Sequence, residues 1–188
     1  MRHSIVLAAV LAAAPAAAND LAPAIRSYLD TDIAPWAGDP RLAAAIAAQN
    51  ATTAAYQQDD IDRLDQTWRA EVGAADSALI RSVLDNPASA FLRERVEASG
   101  GTITEVFVMD ARGLNVAASG LTSDYWQGDE EKFTETFPHG RDAVHISDIE
   151  FDESTQSYQA QVSLPIADPA TGAVIGAMTV GLNADRLF

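Results

Sequence analysis

Residues 102–119 read TITEVFVMDARGLNVAAS, and this stretch decides the fold class. The spacing of apolar residues changes from about 3.6 before Gly101 to about 2 after it, which predicts a strand over 103–109. Residues 110–113 are typical of a turn, and a second strand is predicted over 114–119. A tight turn can join only antiparallel neighbours, so the two strands form a hairpin.

Three further strands are predicted downstream of this hairpin. Imperfect alternation covers 146–152, clear alternation covers 157–164, and the last strand, 174–182, follows a turn at 168–172. Most connections are tight turns, so the sheet region, 102–188, is predicted to be a five-stranded antiparallel sheet.

Helices are predicted upstream of the sheet. No Gly or Pro interrupts 41–72, and Asp39-Pro40 is typical of a helix start, so one long helix is predicted over 39–73. Such a helix would be about 50 Å long, which predicts that part of it projects or pairs with a second copy of the chain. Two shorter helices are predicted over 76–99. The fold class is therefore α+β: a long N-terminal helix and shorter helices pack beside the sheet in one domain, 39–188, after a lead-in at 19–38.

The first eighteen residues, MRHSIVLAAVLAAAPAAA, have the pattern of a signal peptide. Arg2 is followed by an apolar run of about 11 residues, too short for the roughly 20 that span a bilayer. We expect cleavage after Ala18 and a periplasmic location for the mature protein.

The composition excludes several classes of function. The chain has 188 residues with 27 Asp and Glu against 12 Lys and Arg, a net charge of −15, so a nucleic-acid partner is not expected. The absence of cysteine excludes thiol chemistry and thiolate metal sites. Hydrolase and phosphate-loop motifs are also absent, so we predict neither an enzyme nor a cofactor. The alternating acids Asp148, Glu150 and Asp152 are interpreted as a solvent-facing edge, not as a metal site.

The connection over 120–144 is the predicted site. It is long and rich in aromatic residues, so we expect it to fold over the sheet as a lid with a pocket beneath. Tyr125 and Trp126 could wall a cationic ligand with Asp124 or Asp129 as counter-charge, or Lys132 and Arg141 could hold a carboxylate. Alternatively, Trp126 and Phe133 belong to the core, and Asp129 and Lys132 are solvated.

The C-terminal half also resembles a known family. The segments FVMDARGLNVAASGLTSDYWQGDEEKF (107–133), HISDIEFDESTQSYQAQVSLPI (145–166) and GAVIGAMTVGLN (172–183) are similar to the Cache superfamily of PAS-like extracytoplasmic sensor domains, especially small single-Cache periplasmic proteins. The resemblance implies a pocket between the loop and the sheet for an amino acid, amine or carboxylate. It also implies that Tyr125, Trp126 and Asp129 lie in the pocket-forming segment, with His145 and Asp148 nearby.

The hypothesis from the sequence is a periplasmic sensory domain that binds a small organic molecule. Since the sequence shows no transducer after the last strand, we expect it to signal through a separate membrane-bound protein. The alternative is a ligand-free structural or interaction module that dimerises or docks through its long helix.

Overall fold

The computed structural model describes residues 18–74, 76–152 and 157–187. The predicted signal peptide lies outside these residues, except for Ala18, which begins the first helix. None of the described helices is both long enough and apolar enough to cross a bilayer.

A six-stranded antiparallel sheet forms the centre of the molecule. The spatial order is β2-β1-β6-β5, and the outer edge of β5 pairs with β3 and β4 at different places. The strands are β1 Ile103–Met109, β2 Asn115–Ala118, β3 His145–Ile146, β4 Glu150–Asp152, β5 Ser157–Ala167 and β6 Val174–Asn183. The antiparallel α+β fold class is confirmed.

The β1–β2 hairpin forms as predicted. The Asp110 Oδ1 atom accepts from the backbone N–H groups of Arg112 at 2.8 Å and Leu114 at 3.0 Å. Gly113 has a φ of +78°, and a Cβ there would lie 2.4 Å from the Cα of Gly128, so the turn requires glycine for its backbone angle and for its space.

The third predicted strand differs from the prediction because Ser147 interrupts it. The Ser147 hydroxyl accepts from the backbone N–H of Gln161 at 2.8 Å, and the Ser147 N–H donates to the Gln161 carbonyl at 2.9 Å. A side-chain oxygen thus replaces a backbone carbonyl in the ladder, which leaves β3 and β4 as two short strands with Asp148 between them.

Seven α-helices occur in the described ranges 18–74, 76–152 and 157–187. They are α1 Ala18–Tyr28, α2 Ala34–Ala37, α3 Pro40–Thr53, α4 Gln58–Glu71, α5 Ala78–Leu84, α6 Pro87–Ala98 and α7 Glu131–Thr134. The two helices predicted over 76–99 are present as α5 and α6.

The single helix predicted over 39–73 is wrong. Helix α3 ends at Thr53, and Gln57 is the N-cap residue of a separate helix, α4. Gln57 forms a capping box in which the Asp60 carboxylate accepts from the Gln57 N–H at 3.2 Å. The capping box satisfies backbone N–H groups at the N-terminus of α4, so a new helix starting after Gln57 competes with the continuation of α3. Each of the two helices is about 21 Å long, and both fit against the sheet. The length of the helix is therefore no longer an argument for a homodimer. The homodimer itself stays a prediction.

The lead-in at 19–38, for which the sequence predicted no secondary-structure element, is helical. Its buried residues recur at every fourth position: Leu21, Ile25, Leu29, Ile33 and Ala37. Four residues exceed the 3.6 of an α-helical turn, so this stripe would drift around the helix. A π-helical turn, Leu29–Ile33, lies between α1 and α2 and widens the turn, which keeps the stripe against the core.

The two faces of the sheet differ in composition. One face carries apolar side chains such as Val106, Val162 and Val180, which form the larger core with the N-terminal helices. The other face is apolar near Phe107 and Met109, where α4 and α5 pack. Its remaining part is polar, because Glu105 and Gln161 flank Gly181 in register on β1, β5 and β6.

Close packing between β6, β1 and α3 gives a test of the fold. A Cβ on Gly176 would lie 2.1 Å from the Met109 carbonyl oxygen, so we expect Gly176→Ala to destabilise the protein by about 1–3 kcal/mol. Urea unfolding followed by tryptophan fluorescence measures this. Gly120→Ala is the control, because nothing lies within 4 Å of a Cβ there, and an equal loss in both variants would contradict the packing.

Candidate functional site

A cleft lies between the polar part of the sheet and the segment 120–144. Its volume is about 500 Å³, within the range of small-molecule sites. We call it the head cleft, and its lining residues are Asp129, Glu130, Glu131, Lys132, His145, Ser147, Asp148, Glu150, Phe151, Gln159 and Gln161.

Helix α4 holds the start of the segment above the sheet. The buried carboxylate of Asp65 accepts from the backbone N–H groups of Tyr125 at 2.9 Å and Trp126 at 3.0 Å. Its second oxygen pairs with Arg69 at 2.8 Å, and Arg69 also contacts Asp124 at 3.2 Å. Asp65 thus fixes two consecutive peptide groups on the helix.

Tyr125 belongs to the core and does not line the head cleft. Its ring stacks on Trp68 with centroids 5.5 Å apart, and only 5% of the residue is exposed. The indole N–H of Trp68 donates to the Thr122 carbonyl at 2.9 Å, so the same tryptophan holds the segment at a second point. Burial, with the nearby Asp110 carboxylate as a smaller cause, raises the pKa of Tyr125 well above its usual value of 10.0.

Trp126 folds back on the hairpin turn, away from the head cleft. Its indole N–H donates to the Arg112 carbonyl at 2.9 Å, and its backbone bridges to Leu114. A Cβ on Gly128 would lie 2.3 Å from the indole nitrogen, so glycine at 128 makes room for the ring. The predicted aromatic wall of Tyr125 and Trp126 is therefore absent from the lining of this cleft.

Lys132, on α7, is the central cation of the cleft, and its side chain is only 16% exposed. Its ammonium group lies 2.9 Å from the Glu130 carboxylate and 3.3 Å from the Gln127 side-chain oxygen. It also lies 5.5 Å from the centre of the Phe107 ring. Phe133, the next residue, is buried and stacks on Phe137, which anchors α7.

The predicted site residues divide into two groups. Asp129, Lys132, His145 and Asp148 all line the head cleft. Asp124 pairs with Arg69, and Arg141 lines a different cleft beside the turn at Gly172. Lys132 and Arg141 thus lie in separate clefts, and a carboxylate clamp built from both is not formed. Ligand contact by the four cleft residues stays a prediction.

The sequence reading missed the floor of the cleft. Gln159 and Gln161 come from β5, and the Gln161 amide donates to the Glu105 carboxylate at 3.2 Å. Alternation in β5 showed both glutamines on one face, but a polar sheet face usually meets water. Only the position of the loop makes this face a cleft floor.

The acidic side chains outnumber the basic ones in this cleft. Five carboxylates, from Asp129, Glu130, Glu131, Asp148 and Glu150, face Lys132 and His145. The His145 imidazole lies 3.9 Å from the Glu131 carboxylate. Within the described ranges, no three Asp, Glu or His side chains are placed to hold a metal ion.

No protein-family model and no curated protein sequence matches the chain. Solved structures do match in three dimensions. The sensor domain of the Vibrio cholerae histidine kinase DctB has a TM-score of 0.49 at 13% identity over 90% of this chain. The ligand-binding domain of the Campylobacter jejuni chemoreceptor Tlp3 with 4-methylisoleucine has 0.44 at 11% identity over 86%. The Escherichia coli DcuS sensor domain has 0.38 at 18% identity over 67% of this chain and 92% of that one.

This chain spans 54% of the length of the DctB domain and 64% of that of the Tlp3 domain. All three of these proteins are described as sensor or ligand-binding domains.

The Asp65 contacts predict a stability effect. Asp65→Ala leaves two inward backbone N–H groups without an acceptor, so we expect a loss of about 2–3 kcal/mol in the free energy of unfolding. Urea denaturation measures it. Asp62→Ala, an exposed position on the same helix, is the control with a loss below about 0.5 kcal/mol. Equal effects would show that the loop does not depend on Asp65.

The raised pKa of Tyr125 predicts a pH effect. Above pH 10 the unfolded chain releases a proton that folded Tyr125 keeps, so this residue makes stability fall as the pH rises. In Tyr125→Phe the fall in urea midpoint between pH 9 and pH 11 should be smaller than in the wild type. An unchanged fall would mean that Tyr125 is accessible to water.

Proposed function

We propose that the protein is a sensory domain whose head cleft binds a small organic molecule through a positively charged amino group. The observation that carries the proposal is the excess of carboxylates in a cleft of about 500 Å³. A cleft lined by one sign of charge attracts the opposite sign. Among the ligand classes considered from the sequence, this favours an amine or an amino acid over a dicarboxylate.

The carboxylates provide the charge for the amino group. Asp148 and Glu150 are exposed and line the far wall of the cleft. An ammonium group binds favourably to carboxylates, and this wall offers two of them.

Lys132 provides the second recognition group. An ammonium group has three N–H donors, and two of those of Lys132 are directed at Glu130 and Gln127. The third can bind an acceptor, such as the carboxylate of an amino acid. Lys132 thus accommodates a zwitterion without making the cleft basic.

Location and output belong to the same proposal. The signal-peptide pattern of 1–18 supports export to the periplasm, and a membrane-bound protein would receive the signal. Helix α4 is suited to the output, because its Asp65 holds the segment that covers the cleft while the rest of its surface is largely exposed.

A ligand screen tests the binding. Thermal unfolding of the purified protein is measured with putrescine, lysine, neutral amino acids and succinate. We expect amines or amino acids to raise Tm and succinate to have no effect, because ligand at 100 times its Kd stabilises the folded state by about 2.7 kcal/mol. A preference for succinate, or no shift with any compound, would contradict the proposal.

Matched variants locate the site. Asp148→Asn with Glu150→Gln should weaken calorimetric binding of the hit at least tenfold. Asp59→Asn with Asp62→Asn, on the exposed face of α4, changes the net charge equally and should leave the Kd unchanged. Equal weakening in both pairs would assign the effect to the net charge of the protein and not to the cleft.

A further inference from the structure

A second cleft continues from the head cleft at Lys132 and Gln161, which line both. Its volume is about 380 Å³. We call it the tail cleft, and its lining residues are Val72, Glu105, Phe107, Leu121, Thr122, Ser123, Gln127, Lys132 and Gln161.

Three of the four large apolar residues that are exposed in the described residues line these two clefts. In the part of the chain that the structure describes, the large apolar residues that are exposed are Val72 (44%), Leu121 (46%), Phe151 (49%) and Tyr158 (54%). Val72 and Leu121 line the tail cleft, and Phe151 lines the head cleft. Tyr158 packs on Phe151 with ring centroids 5.3 Å apart.

Val72 and Leu121 come from separate parts of the chain. Val72 directly follows α4, and Leu121 follows β2, yet both border the same cavity. The floor between them includes the ring of Phe107, which is 3% exposed. Scattered apolar residues are normal on a surface, but two from separate parts of the chain that border one cavity mark a place where apolar ligand surface can be buried.

We infer that the tail cleft is a subsite for an apolar arm, so that the ligand is an elongated amine whose ammonium group binds in the head cleft. This rests on the proposed function, and it adds the ligand's length and its apolar end. The ammonium group of the ligand lies among the carboxylates of the head cleft. The alkyl chain of the ligand then passes Lys132, and its methylene groups lie between Val72 and Leu121.

Lys132 and Gln161, which line both clefts, limit which ligands can extend from one cleft into the other. Lys132 lines both clefts, and its ammonium group is held by Glu130 and Gln127. An uncharged methylene chain can lie along the alkyl stem of Lys132, because lysine stems are apolar. A second ammonium group at this point would be repelled, which favours a monoamine over a diamine of the same length.

A series of alkylamines tests the inference. Calorimetric Kd values are measured for 1-aminobutane, 1-aminohexane and 1-aminooctane. In the wild type the affinity should rise about three- to fourfold for each methylene group that enters the tail cleft. In Val72→Ser with Leu121→Ser the rise should be lost while the Kd of the shortest amine that binds stays within twofold. Both residues are exposed, so the double variant should fold, and an unchanged Tm checks this.

Two controls separate specific from general binding. Leu121→Met keeps apolar surface at the rim and should keep the rise with chain length. Octanoate has a similar arm with the opposite head charge and should bind at least tenfold more weakly than 1-aminooctane.

The outcomes distinguish the two proposals. Amine binding without a dependence on chain length, or with a dependence that survives the double variant, would overturn the tail subsite and leave the proposed function standing. Failure of every amine and amino acid to bind would overturn both.

Discussion

The carboxylate of Asp65 is the contact on which the cleft depends. It accepts from two consecutive backbone N–H groups, at Tyr125 and Trp126, and so fixes the direction in which the chain leaves β2. Without these bonds two peptide groups at the edge of the core would lack an acceptor, a cost that a loop of this length cannot easily recover elsewhere. The later part of the segment, including α7 and Lys132, follows from that direction.

Packing against α4 explains why a cavity remains. The rings of Tyr125 and Trp68 stack over the apolar half of the sheet face, and Phe133 anchors α7 beside them. Apolar rings would gain little free energy of burial by packing on the polar half of this face, where Glu105 and Gln161 face outward from the strands. The aromatic residues therefore fill one half of the face, and the cleft remains over the other half. The head cleft is polar and acidic for the same reason that it is open.

Local sequence rules predicted the elements more reliably than their lengths. The turn at 110–113, the helix start at Asp39 and the alternation in β5 depend on interactions within a few residues, and all occur in the structure. The break after Thr53 also has a local cause, the capping box at Gln57, but no Gly or Pro marks it in the sequence. The helices of the lead-in were not predicted, because its apolar residues recur every four positions from Leu21 to Ala37, a longer period than the 3.6 of an ideal α-helix.

The sequence by itself determined the fold class, the antiparallel hairpins and the segment that covers the head cleft, since turn chemistry, apolar period and composition are local properties. It named Asp129, Lys132, His145 and Asp148 as candidates, and the structure brings these four together in the lining of the head cleft. Only the tertiary structure decided that Tyr125 packs in the core, that Trp126 turns back on the hairpin, and that Arg141 lies in another cleft. Those outcomes depend on which surface is available to each ring and charge once α4 has packed, and no pattern within a short window contains that information.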